Sequence, residues 1–327
     1  MTAAAPDGTA AGRVDVHHHF TAPAWLDWAE QRGVVNREKL PWWTRWDVNA
    51  ALELMDKAGI GTAVMTVAML GRFRERAARQ ESARVALQAA ADVVESHPTR
   101  FRFFVPVFLD DLELSRWSLK YGLDELGAVG VSTRTSMDGV YLGDDTHDRL
   151  LNELNDRSAI VSTHPMEVPA GHDPAMGLPG MPPFVCDFLM DTTRAAINLI
   201  KNGTLDRYPN LTFILPHGGG FLPYIAARLE LFGGQLTPEI EPGRVRDYLH
   251  RFYFDTAGPM SPSATPTLLA TVDPGRILFG TDWPPTPAQV VADITTPALD
   301  NDPVISDRQL KGINRDNALR LMPGLPC

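Results

Sequence analysis

The segment RVDVHHHF, Arg13 to Phe20, has the alternation of an extended strand, so His17 and His19 point to one face and His18 to the other. Two imidazoles aimed at one point can begin a metal site. Alone the pattern is weak, because stray histidines or a tag remnant look the same. Val14, Asp15 and Val16 embed the run in a strand pattern, which argues against a tag. Other strand-like runs also end in ligand-capable side chains. AIVSTHP ends at His164, FILPHGGG at His217 and ILFGTDWP at Asp282. Any single one reads as well as a hydrogen-bonded core residue. Their joint placement at strand C-termini points instead to a metal site and to Lewis-acid or acid–base chemistry around it.

The elements that must position these residues follow from periodicity. Eight short apolar runs are predicted as strands: Arg13–Phe20, Thr62–Met69, Phe101–Phe108, Ala128–Thr135, Ala159–Pro165, Thr212–His217, Phe252–Ala257 and Ile277–Trp283. Amphipathic segments separate them, at Val48–Ala58, Glu75–Ser96, Asp148–Arg157, Thr192–Arg207, Tyr224–Leu231 and Arg244–Arg251, with a last helix at Asp307–Leu321. Eight strands alternating with helices predict an α/β fold, a (β/α)8 TIM barrel. The predicted organisation is a disordered leader over residues 1–12 and one barrel domain over 13–327. Two insertions follow strands and so belong to the C-terminal face. Thr21–Asp47 carries Trp25, Trp28, Trp42, Trp43 and Trp46; Met166–Val185 carries five prolines and three glycines. Both read as pocket walls or as subunit contacts.

Composition sets the partners. The 327 residues carry a formal charge of −10 with arginines scattered among acids, which argues against nucleic acid or an anionic membrane and for a small molecule. Cys186 and Cys327 are the two cysteines, with no CxxC, so neither a disulfide framework nor a cysteine-ligated zinc site is expected. The opening MTAAAPDGTAAGR lacks the regions of a signal peptide, and the uncharged stretch Tyr208 to Ala227 is broken by three prolines and three glycines. The expectation is a soluble cytoplasmic protein. No dinucleotide fingerprint and no serine nucleophile elbow is present. His97, His147, His172 and His250 have no partner at ligand spacing and read as structural.

With these residues assembled, the chain resembles the amidohydrolase superfamily, in the branch of aminocarboxymuconate-semialdehyde decarboxylase and of hydroxybenzoate decarboxylases such as those of 6-methylsalicylate. The resemblance covers Arg13 to Pro323 and is most specific in DTTRAAINLIKNGTLDRYPNLTFILPHGGGFLPYIAARL, FDTAG, LFGTDWP and GINRDNALRLM. It implies that His17, His19, His164 and Asp282 hold one divalent metal, with His217 beside it as acid–base residue. It also implies that Arg228, eleven residues after His217, binds the substrate carboxylate, in some relatives across a subunit boundary. The plain alternative for Arg228 is a surface ion pair. Arg134, ending the fourth strand, is a second carboxylate partner, or else a barrel-mouth ion pair. The fourth strand lacks the bridging lysine of binuclear members, which implies a single ion; three imidazoles and a carboxylate accommodate zinc, manganese, iron or cobalt, with zinc ranked first and manganese second. Asp15 and Asp255 are candidates to orient ligands, and Asp15 is equally readable as a buried hydrogen-bonded group.

The implied reaction is non-oxidative decarboxylation of an ortho-hydroxybenzoate-like or related unsaturated acid, with Asp282 or His217 delivering a proton to the carboxyl-bearing carbon. The alternative is a hydrolase or hydratase of the same superfamily, acting on an amide, lactone or vinylogous carbonyl. A homodimer or higher homo-oligomer is implied by resemblance alone.

Overall fold

Short runs that are apolar on both sides cannot face water, and in this chain they gather into one parallel sheet covered by helices. The computed structural model describes residues 12–70, 73, 75–165 and 180–326. Most of the second insertion, His172 included, and residues 1–11 of the leader lie outside that set. The eight strands are β1 (Arg13–Phe20), β2 (Ile60–Val67), β3 (Phe101–Pro106), β4 (Gly130–Arg134), β5 (Ile160–His164), β6 (Thr212–Leu215), β7 (Tyr253–Asp255) and β8 (Ile277–Leu278). They are hydrogen-bonded in chain order and all the pairs are parallel. The ring closes past the two paired residues of β8. Val16 N–H donates to Phe279 O at 3.0 Å, Asp282 N–H to His17 O at 2.9 Å and His19 N–H to Trp283 O at 2.7 Å. The predicted (β/α)8 barrel is therefore present.

The helices bury one face each. In α3 (Arg76–Ser96) Ala83, Ala86, Leu87 and Ala90 recur at helical spacing and are buried, and in α5 (Asp148–Asp156) Leu150, Leu151 and Leu154 do the same. The expected helix Thr192–Arg207 is corrected at both ends. It starts at Asp187 as α6 (Asp187–Lys201), with the acidic group in its first turn, and breaks at Gly203, whose φ of +59° is left-handed. A helix the periodicity missed, Leu112–Leu119, starts at Asp111, whose carboxylate accepts from Leu114 N–H.

The tryptophan-rich insertion divides between two jobs. Its helix Pro23–Gln31 lies on α3, where Trp25 Nε1 donates to Ser82 Oγ at 2.8 Å and Trp28 Nε1 to Glu81 at 3.2 Å. Trp25, Trp28 and Trp46 are core, while Trp42 is 55% exposed and Trp43 half-buried. Among the described residues no helix is long and apolar enough to cross a membrane. The split among the tryptophans is measurable by urea unfolding. Trp25→Ala is expected to cost about 3–5 kcal/mol, the usual range for emptying a buried tryptophan site. Trp42→Ala is expected to stay within about 0.5 kcal/mol of the parent.

Candidate metal centre

At the C-terminal mouth of the barrel the five residues singled out from sequence converge. His17 Nε2 lies 3.2 Å from His19 Nε2 and 3.3 Å from Asp282 Oδ1, and His19 Nε2 lies 2.9 Å from the same oxygen. His17, His164, His217 and Asp282 each offer an atom, and these atoms lie within 4.8 Å of one another. The His164 ring centre is 4.7 Å from that of His19 and 5.2 Å from that of His17, and His217 Nε2 stands 3.8 Å from Asp282 Oδ2. His17, His19, His164 and Asp282 thus come together, with His217 beside them.

Backbone conformation places two of these groups. His217 and Asp282 both have positive φ, 53° and 58°, a left-handed conformation that His and Asp enter more readily than most side chains. Each follows a strand end and turns its side chain across the mouth. After His217 the chain runs through Gly218, Gly219 and Gly220, all left-handed. At Gly220 a Cβ would sit 2.2 Å from Leu189 O, which glycine alone tolerates.

Two buried carboxylates hold the cluster from behind. Asp255, 2% exposed, has Oδ2 2.8 Å from His17 Nδ1, while its Oδ1 accepts from His217 N–H at 2.8 Å and Ala257 N–H at 3.1 Å. Asp15 does not reach a ligand ring. Its Oδ1 accepts from His17 N–H at 3.1 Å and Thr281 N–H at 3.0 Å. Its Oδ2 accepts from Thr281 Oγ1 at 2.7 Å and lies 3.1 Å from His18 Nδ1. His18 faces away from the cluster, fully buried against Trp283, its ring centre 4.8 Å from the indole.

The electrostatics suit a cation. Burial alone would push the Asp282 carboxyl up, yet His17, His19 and His217 hold it well below the usual carboxylate range. Burial pushes His19 down despite Asp282, and it pushes His164 well down with the other imidazoles adding to the effect. His17 is the exception: burial disfavours its charge, but Asp255 and Asp282 outweigh burial and raise it well above its ordinary value. His19 and His164 thus keep neutral lone pairs and Asp282 stays ionised, as metal ligands must, while His17 has to give up the proton that Asp255 and Asp282 favour when an ion binds. The spacing of the cluster fits too, since ligand atoms about 2.0–2.2 Å from one ion stand roughly 3.3 Å apart in a tetrahedron. Nδ1 of His164 and of His217 is buried with no hydrogen-bond partner among the described residues. The chain therefore presents a site suited to a divalent ion.

Around the cluster opens a cleft of about 1930 Å³ with largely apolar walls, including Trp43, Phe73, Phe108, Phe188 and Met260. Trp43 belongs to the first insertion, read from sequence as a pocket wall or subunit contact; Phe73, Phe108 and Met260 sit in βα connections, and Phe188 lies in the first turn of α6. Arg134 lies half-buried in the cleft wall. Arg228 does not line it: it is exposed on the helix Leu222–Phe232, with its guanidinium over the Phe232 ring at 5.0 Å. Of the histidines read as structural, His147 is buried, while His97 and His250 cap helices.

The division of labour on β1 can be read by elemental analysis. After loading with zinc, His17→Ala is expected to retain little metal, whereas His18→Ala stays near one ion per chain and loses stability instead. Equal metal in both variants would overturn the assignment of faces.

Residues 14–323 match the amidohydrolase family model. A decarboxylase of Aspergillus niger is 31% identical over 326 residues, covering 95% of this chain and 87% of the relative. The 6-methylsalicylic acid decarboxylase of Aspergillus aculeatus is 29% identical, covering 96% of each chain. A solved 2,6-dihydroxybenzoate decarboxylase in complex with 2,6-dihydroxybenzoate superposes with a TM-score of 0.80 at 25% identity, over 96% of this chain and 99% of that one. Barrel, ligand-bearing strand ends and the match over nearly the whole length agree: the chain belongs to the amidohydrolase family.

Proposed function

We propose that this protein is a non-oxidative carboxy-lyase that removes carbon dioxide from a small aromatic acid of the ortho-hydroxybenzoate kind, using one divalent ion held by His17, His19, His164 and Asp282. What supports the reading is the convergence of these four residues and His217 at the base of an apolar cleft, in a chain related to decarboxylases of 6-methylsalicylic acid. Zinc is the first choice for a site rich in imidazole, and manganese the second, favoured by the carboxylate.

The difficulty of the reaction is the electron pair left on the ring when carbon dioxide departs. A bound divalent ion supplies a Lewis acid and a template for a carboxylate and its neighbouring hydroxyl. The protein's own task is the proton. Asp282 offers one oxygen to His17 and His19 and turns the other toward His217, so these two residues share the side of the cleft from which a proton can reach the carboxyl-bearing carbon. Once that carbon is protonated, the carbon–carbon bond breaks, its electron pair restores the aromatic ring and carbon dioxide leaves. The apolar walls receive the ring, and Arg134 offers a cation at the rim.

Arg228 serves a carboxylate only in a neighbouring subunit's cleft, given its outward position. Its helix also exposes Tyr224, Leu231 and Phe232, a surface suited to a second copy of the chain. A homodimer or larger homo-oligomer follows as part of the proposal, as does a cytoplasmic location, inferred from the cysteine content.

Three measurements decide. The zinc- or manganese-loaded protein should release carbon dioxide from 6-methylsalicylate or 2,6-dihydroxybenzoate; no gas from any ortho-hydroxybenzoate, with turnover of an amide or lactone instead, refutes the proposal. His217→Asn should keep the metal and lose about 10²- to 10⁴-fold in kcat, the usual worth of a positioned acid or base. Mixing His217→Asn subunits with Arg228→Ala subunits should restore activity if the arginine is donated across an interface, and should restore none if it is not.

A further inference from the structure

We infer that Asp255 is a positioning residue that sets two things with one carboxylate: the tautomer of His17 and the backbone of His217. The inference rests on a divalent ion at the cluster, not on which bond is broken there.

To ligate a metal His17 must be neutral, and a neutral imidazole carries one proton. Nδ1 of His17 faces Asp255 Oδ2 at 2.8 Å, and an ionised carboxylate can only accept, so the proton belongs on Nδ1. Nε2 is thereby left with its lone pair. Nε2 is the atom that faces His19 Nε2 and Asp282 Oδ1, where the metal would be held. The other oxygen is committed elsewhere, accepting from His217 N–H at 2.8 Å and Ala257 N–H at 3.1 Å. His217 sits at φ +53°, so this bond anchors the residue in a conformation that costs about 1–2 kcal/mol relative to the ordinary one. Asp255 is buried, so no water replaces either partner.

The consequence is specific, because an amide cannot do both jobs. In Asp255→Asn the side chain has one accepting oxygen and one donating NH2. If the oxygen stays with the amides of His217 and Ala257, the NH2 faces His17 Nδ1. Nδ1 must then accept, the ring proton moves to Nε2 and the metal-facing lone pair is lost. If the amide is reversed, His17 keeps its tautomer, but NH2 confronts two backbone N–H groups and the anchor of His217 is lost. One of the two functions fails in either orientation.

The test uses zinc and the full-length chain. In the zinc-loaded parent, long-range ¹H–¹⁵N spectra of histidine-labelled protein should show His17 protonated at Nδ1. For Asp255→Asn the expected result is one of two patterns. Either the zinc Kd measured by chelator competition rises about 10- to 100-fold, with His17 protonated at Nε2 and no longer at Nδ1 in the metal-free protein, or the Kd is near parental and kcat falls with a displaced pH profile while KM holds. An Asn variant with parental zinc Kd, tautomer, kcat and pH profile overturns the inference. Should that variant not fold, the parent spectra still decide: a His17 bonded to zinc through Nδ1, or protonated at Nε2, overturns it as well. A parent that takes up no divalent metal fails the metal reading itself, and this inference falls with it; a parent that binds zinc but decarboxylates nothing leaves the inference standing and removes only the assigned reaction.

Discussion

The last seam of the barrel carries the site. β8 has two paired residues, too few to close a ring by ladder alone, and the closure passes to the segment Phe279–Trp283 running beside β1. Asp15 braces that seam. Completely buried, it takes bonds from His17 N–H on one side and from Thr281 N–H and Oγ1 on the other, with His18 Nδ1 beside it. Since β1 bears His17 and His19 and the seam ends in Asp282, three of the five convergent groups are located by this one set of bonds. A buried carboxylate is costly without partners. Here both of its oxygens are engaged, and the desolvation cost is offset by fixing the edges of the sheet relative to one another.

The same economy of partners accounts for the two left-handed residues. His217 and Asp282 adopt a conformation that unconstrained chains seldom use, and each is held there through its backbone N–H: His217 by Asp255, Asp282 by His17 O. Neither side chain is needed for its own anchoring, so both stay available at the mouth. Strand ends in an ordinary extended conformation would have sent these side chains along the wall. Turning them inward requires the strain, and the buried hydrogen bonds sustain it.

This explains what could be read from sequence and what could not. Alternation on β1 separated His17 and His19 from His18, because strand geometry is local and the register of eight residues suffices. His164 ends its strand and follows the same rule, whereas His217 and Asp282 lie beyond their strands in left-handed backbone, so the sequence marks their place at the mouth but not the turn that aims them. The start of α6 was misplaced because residues 187–190 are mostly apolar and follow a proline-rich stretch, so nothing in the alternation marks Asp187 as the first helical residue. The core role of Trp25 and Trp28 was invisible because their partners, Ser82 and Glu81, lie more than fifty residues away. The outward position of Arg228 depends on how one helix is rotated against the barrel. Its neighbours Tyr224, Leu231 and Phe232 look like a core face in sequence, yet they are exposed.

Charge is the remaining point, because a chain with a net −10 would not be expected to take up an anion. The surplus is dispersed over the outside, and its field is screened within about 8–10 Å at physiological ionic strength. Inside the cleft the walls are largely apolar, so each charge there acts over a longer range than it would in open water. There the counting is local: Asp282 and Asp255 face His17, Asp110 and Asp138 line the cleft together with Arg79 and Arg134, and a divalent ion would add two positive charges. A bound divalent ion would offset the ionised carboxylates of the cluster and so favour a carboxylate beside it. On the proposed reading, substrate affinity would be coupled to the metal by electrostatics as well as by coordination.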